Sequence, residues 1–184
     1  VLPAAPAIRR AARSVAAGLG ANFSGVHLRQ GDRLTDPMEE LRVPVIDARH
    51  LFGQLSAVLP PSPPGGGKAA VFVATDAPGI LGERPWGQVL SSRYEVRTIW
   101  SFEAVLQDVS GHYKKGGQCM PYEVAWLEQL VLARAWRFLS TESSTFDDAV
   151  QVLRQQRARA FPGLVDLSFF GLASGAVGDP PLQD

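Results

Sequence analysis

The chain holds one cysteine, Cys119, in 184 residues, which excludes an internal disulfide and any cysteine-rich zinc site. Cys119 reads as a buried or loop thiol, since no catalytic neighbourhood surrounds it. Neither sign of charge is in excess, 18 Lys and Arg balancing 18 Asp and Glu. That argues against a dedicated nucleic-acid surface, which carries a basic surplus, yet allows a local basic pocket for one phosphorylated small molecule. No run approaches the roughly 18 to 20 consecutive apolar residues of a membrane span. No targeting signal is visible in this segment, because Arg9, Arg10 and Arg13 have no apolar run behind them. The chain starts at Val1 rather than Met, and the expectation is a processed product or a piece of a longer protein. Histidine is scarce. His50 and His112 have no partners at metal-ligand spacing, so no metal site is expected. A glycine-rich dinucleotide fingerprint, a phosphate-binding Walker loop and a nucleophile elbow are all missing.

What is present is a 46% hydrophobic chain with apolar segments of alternating period. Ile8, Val15 and Leu19 among alanines predict an amphipathic helix over 7–19, closed by Gly18 and Gly20. Strands are predicted at 23–28, at 69–74, where Val71-Phe72-Val73 forms a continuous apolar run, at 94–100 and at 136–140. Between them, Asp47 can cap a helix through Leu59, residues 77–92 read as loop and short helix, and Ser101 starts a short helix through Leu106. Val124, Leu127, Leu130 and Val131 share one face of a helix over 122–134, and Phe146, Val150 and Leu153 do so over 144–157. Strands alternating with helices of this length predict an α/β fold, a parallel sheet with helices on both faces. One domain over 1–175 is expected, with the Pro/Gly segment 60–67 as a loop insertion and 176–184 as a disordered tail.

Ligands in such folds bind beyond the carboxyl ends of the strands, and polar residues gather there. His27 and Arg29 point to one face of the first strand, and Arg offers a rigid fork of donors for phosphate. Thr75 and Asp76 stand where the second strand leaves the sheet; Asp76 suits a ligand hydrogen bond or a cap. Ser144-Thr145-Phe146-Asp147-Asp148 opens the last helix, where hydroxyls and unpaired N–H groups make an anion site. The same residues also spell a plain N-cap, with Ser144 and Asp147 capping reciprocally, and spacing alone leaves both readings open. Asp147 and Asp148 would repel a phosphate unless directed away from it. Trp86, Trp100, Trp126 and Trp136 read as packing anchors, and Lys114-Lys115-Gly116-Gly117 as a solvated loop.

Taken together, Gly25-Val26-His27-Leu28-Arg29 with Asp32, the run Val71 to Ala77, and Glu128 followed by a helix, a short strand and Ser144-Thr145-Phe146 resemble the protein O-fucosyltransferase superfamily, nearest the branch that modifies thrombospondin-type repeats. The match covers about 150 residues of motif order and falls in the family's C-terminal, donor-binding half, a Rossmann-like domain of a two-domain (GT-B) glycosyltransferase. The resemblance implies GDP-fucose as donor substrate, no cofactor and no required metal, and inverting transfer of fucose to a protein or glycan acceptor. It implies that Arg29 contacts the diphosphate and is the catalytic residue of this segment. It further implies that His27 and Glu128 address the guanine or ribose, Glu128 standing for the family's usual Asp. Ser144, Thr145 and Phe146 would complete the nucleotide pocket, with Asp76 bordering it. The acceptor cleft and a proposed carboxylate base would lie in an N-terminal domain outside this chain, and the home would be the endoplasmic reticulum or Golgi lumen. Asn22-Phe23-Ser24 is a glycosylation sequon at the start of the first strand. Two other readings stand beside this one: transfer from another nucleotide sugar, and a catalytically inactive nucleotide-binding or interaction module.

Overall fold

In the computed structural model of the chain, residues 5–28, 57, 59, 67–75, 81, 85–112, 121–141, 145–163 and 170–172 are described. Helix α1 spans Pro6–Leu19 and leads into strand β1, Ser24–Leu28. Strand β2 is Ala69–Thr75, helix α2 Pro85–Arg93 and strand β3 Tyr94–Arg97. After a 3-10 turn at Ile99–Ser101 come helices α3, Glu103–His112, and α4, Pro121–Leu132. Strand β4, Arg137–Thr141, helix α5, Thr145–Ala160, and strand β5, Phe170–Leu172, complete the order.

The strands form one five-stranded sheet in the order β3-β2-β1-β4-β5, every neighbouring pair parallel. This is a Rossmann-like α/β fold. Two crossovers build outward from β1 through β2 to β3, and the chain then returns to the other side of β1 to lay down β4 and β5. With a single hand of crossover, the two halves carry their helices on opposite faces. Leu90 of α2 packs with Val26, Val71, Val73 and Leu139 on one face. On the other, α1, α3, α4 and α5 cover Phe72, Ala74 and Phe138 with Ile8, Val15, Val109, Leu127, Val131 and Val150.

Local chemistry explains the element limits. Pro6 occupies the first turn of α1, where its missing N–H costs nothing. Gly20 ends that helix at φ 88°, a left-handed backbone that glycine adopts without strain, and its N–H donates to Ala17 O. Gly25 is required by packing: a Cβ there would stand 2.7 Å from Leu132 Cδ2 and 3.0 Å from Ala135 Cβ, so the end of α4 rests directly on β1. Asn22 of the sequon is exposed in the turn before β1, while Ser24 is fully buried.

The structure departs from the sequence reading in several places. The third strand stops at Arg97 rather than Trp100, because Thr98 N–H turns to donate to Ser101 Oγ at 3.2 Å and the chain coils into the 3-10 turn. Ile99 in that turn is buried, which leaves Trp100 56% exposed rather than a packing anchor. Helix α3 runs to His112, beyond the expected Leu106, whereas α2 is the short helix expected within 77–92. A fifth strand closes the sheet where the sequence pattern offered only mixed apolar and glycine residues. The expected helix from Asp47, the loop 60–66 and the tail lie outside the described residues, apart from Ala57 and Leu59.

One buried cation organises the lower end of this layer. Arg154 of α5 is 1% exposed, and its guanidinium donates to Leu132 O at 3.3 Å, Ala135 O at 2.7 Å and Trp136 O at 3.1 Å. It thereby gathers carbonyls from the last residue of α4 and from the turn that follows it. Its guanidinium also lies over the Phe138 ring, 5.7 Å from the centroid. Nearby, Arg134 donates to Leu130 O, and its pKa is lowered by burial and then by the charges of Arg157 and Arg13. Removing Arg154 would take a charged donor from all three carbonyls, of which Leu132 O also accepts from Ala135 N–H at 3.1 Å. Arg154→Ala is expected to cost roughly 2–4 kcal/mol of stability, and Arg154→Lys to recover only part of it, since an ammonium lacks the planar fork. Denaturant unfolding of both variants checks this; an unchanged midpoint for the alanine variant would contradict the assignment.

Candidate functional site

The reversal of strand order falls between β1 and β4, so the crevice beyond their carboxyl ends is the topological switch point, the usual ligand position in open α/β sheets. His27 stands next to last in β1 and pairs in register with Ala74 of β2 and Ser140 of β4. Gly25, two residues earlier, pairs with Phe72 and Phe138, which belong to the core under α1, α4 and α5. Alternation along a strand therefore turns His27 and Ser140 toward the same helical layer.

Helix α5 begins directly beyond β4 and delivers two side chains to His27. Phe146 stacks on the imidazole with centroids 4.2 Å apart and planes inclined by 20°. Asp147 Oδ1 lies 2.7 Å from His27 Nδ1, and both residues are buried, His27 at 6% and Asp147 at 5% exposure. The pair joins positions 120 residues apart in sequence. Ser140 sits alongside, 1% exposed, its Oγ without a hydrogen-bond partner among the described residues. A buried imidazole held in place, an aromatic wall, a carboxylate and an uncommitted hydroxyl thus meet where the sheet opens. Such a set can bind a polar ligand through directed hydrogen bonds and stack a flat or sugar-like surface beside it.

The residues singled out in the sequence fare differently. His27 and Phe146 come into direct contact. Thr145 is the first residue of α5 and is exposed at its N-terminus. Glu128 is 9% exposed on α4, in the same helical layer as α5, and is not without an interaction partner. Arg29, Asp76 and Ser144 lie outside the described residues. Each follows or precedes a described element closely: Arg29 comes next after β1, Asp76 next after β2, and Ser144 immediately before α5.

Two members of the cluster escaped the sequence reading as site residues. Asp147 was weighed only as a cap or a repulsive charge, yet its Oδ1 lies 2.7 Å from His27 Nδ1. A signal was there: Asp147 and Arg154 stand three before and four after the fully buried Val150, on its side of the helix. Ser140 carried no signal beyond its place at the end of a strand.

The buried hydroxyl allows a clean separation of structural from ligand roles. Because Ser140 Oγ is unpartnered in the described structure, Ser140→Ala is expected to leave the thermal midpoint unchanged or slightly raised. If the crevice is the ligand site, the same variant should bind ligand several-fold more weakly, about 0.5–1.5 kcal/mol for one lost hydrogen bond. A variant that is destabilised and binds normally would show that the hydroxyl serves the fold instead. In comparisons with known proteins, no family model matches the chain and no curated protein matches it significantly.

Proposed function

We propose that the chain is the donor-binding part of an inverting, metal-independent glycosyltransferase that moves fucose from GDP-fucose to a hydroxyl of a protein Ser or Thr. The observation that carries most weight is the position of His27, stacked on Phe146 and hydrogen-bonded to Asp147 at the switch point of a parallel sheet. Nucleotides are bound there in folds of this kind. The motif resemblance of the Gly25–Arg29, Val71–Ala77 and Ser144–Phe146 segments supplies the donor identity.

Under this reading Arg29 meets the diphosphate. Departure of GDP breaks the bond between the anomeric carbon and a diphosphate oxygen, and negative charge grows on that oxygen. A fixed guanidinium and the N–H groups at the start of α5 stabilise it as it forms. The acceptor oxygen attacks from the opposite side of the sugar, and its proton goes to a base that the resemblance assigns to a domain outside this chain. His27 and Glu128 address the nucleoside, while Thr145, Ser144, Phe146 and Asp76 border it. Residence in the endoplasmic reticulum or Golgi lumen accompanies this reading. Among the described residues no helix is long and apolar enough to cross a membrane.

One observation favours a second reading, a catalytically inactive nucleotide-binding or interaction module. Asp147 places a carboxylate beside His27, near the end of the crevice where the diphosphate would lie. Binding of GDP with no turnover by the whole protein would support that version.

Calorimetric titration with GDP, GDP-fucose and GDP-mannose tests the proposal. Saturable binding that prefers GDP-fucose is expected. Arg29→Ala should weaken it by at least about tenfold, the worth of a charge-assisted hydrogen bond of ~1.5–3 kcal/mol. A preference for GDP-mannose would reassign the donor sugar, and no binding by demonstrably folded chain would overturn the reading.

A further inference from the structure

Helix construction alone does not call for Asp147 where it stands. An acidic residue in the first turn stabilises a helix from the surface, and exposed Asp148 meets that need. Asp147 is buried and reaches across to β1, where its Oδ1 lies 2.7 Å from His27 Nδ1. Against an ionised Asp147 carboxylate, which can only accept, Nδ1 is the donor. Turning the ring over would put Cδ2 in place of Nδ1 and lose the contact with Asp147, while the Phe146 stack at 4.2 Å holds the imidazole plane. In the neutral ring a proton on Nδ1 leaves a lone pair on Nε2, at the opposite edge.

We propose that Asp147 is a positioning residue: it holds His27 in the Nδ1–H tautomer, so that Nε2 meets the ligand as a hydrogen-bond acceptor. At that atom the site selects a hydroxyl or N–H group of the ligand over an anionic oxygen. This rests on the reading of the crevice as a nucleotide-sugar site, and it divides the labour there. Phosphate oxygens, which only accept, go to donors such as the N–H groups of α5, while His27 takes a hydroxyl of the ribose or sugar. The Asp147 carboxylate is then separated from the diphosphate by the imidazole rather than set against it. The acidic groups on α5 and α4 are Asp147, Asp148, Glu123 and Glu128, and the basic ones Arg154, Arg157 and Arg159 of α5.

The test is nitrogen-15 NMR of the imidazole side chains, tractable because the chain has only 3 histidines. His27 is assigned from the signal lost in His27→Gln. With the ring neutral, as the same spectrum reports, Nδ1 is expected at a pyrrole-like shift and Nε2 at a pyridine-like shift. Asp147→Asn keeps an accepting oxygen and should preserve that pattern; Asp147→Ala should shift the population toward Nε2–H. A pyridine-like Nδ1 in the unsubstituted chain overturns the positioning role, and this spectrum decides it even if the alanine variant fails to fold. Addition of GDP should then move the Nε2 resonance upfield with Nδ1 little changed. GDP that binds without moving Nε2 overturns the ligand assignment. No GDP binding by the folded chain overturns the nucleotide reading instead, and the tautomer pattern still decides what Asp147 does.

Discussion

Asp147 and Arg154 lie seven positions apart on the buried side of α5, two turns or about 10.5 Å of helix. Each makes a polar contact with a different part of the fold. Asp147 holds His27 at the carboxyl end of β1, and Arg154 holds the carbonyls where α4 gives way to β4. Val150, fully buried between them, supplies the apolar contact. Burying charged groups is costly unless they are hydrogen-bonded, and directed bonds at both ends leave the helix little freedom to slide or rotate. Register of α5 against the sheet is therefore fixed by polar geometry as well as by packing.

That register is what brings the candidate site together at the switch point. The strand order leaves a gap in helical cover between β1 and β4 at their carboxyl ends. A helix that starts one residue early or late would turn Phe146 and Asp147 about 100° away from His27. The close rest of α4 on Gly25 contributes from below, since it sets how near the helical layer approaches the strand that carries His27. Further support comes from Trp136 N–H, which donates to Phe23 O at 2.9 Å and ties the starts of β1 and β4 together. The geometry of the candidate site at the upper end thus depends on packing and hydrogen bonding at the lower one.

Much of this architecture was legible in the chain, for identifiable reasons. The continuous apolar run of β2 and the 3.6-residue period of α4 are consequences of burial that a pattern reports directly. What the pattern missed involved polar atoms with partners distant in sequence. Asp147 and Arg154 look like surface charges until the groups that satisfy them are known, and those groups lie on β1 and on the α4–β4 connection. The early end of β3 turned on one local hydrogen bond from Thr98 to Ser101, weaker in sequence than the β-branched residues around it. Strand β5 is three residues long and owes its place to pairing with β4, so its own residues announce it poorly. Of the residues the sequence singled out, His27 and Phe146 are in contact; the contact of Asp147 with His27 was not foreseen.

The central claim is that ligand binds where β1, β4 and the start of α5 meet. Amide chemical-shift mapping with GDP tests it most directly, because every described element reports separately and no assumption about turnover enters. The account predicts perturbations concentrated at His27 and Leu28, at Ser140 and Thr141, and at Thr145 to Asp148, with α2, β3 and the lower ends of α1 and α4 unchanged. Perturbations gathered on those latter elements, or none at all in a folded chain, would contradict it.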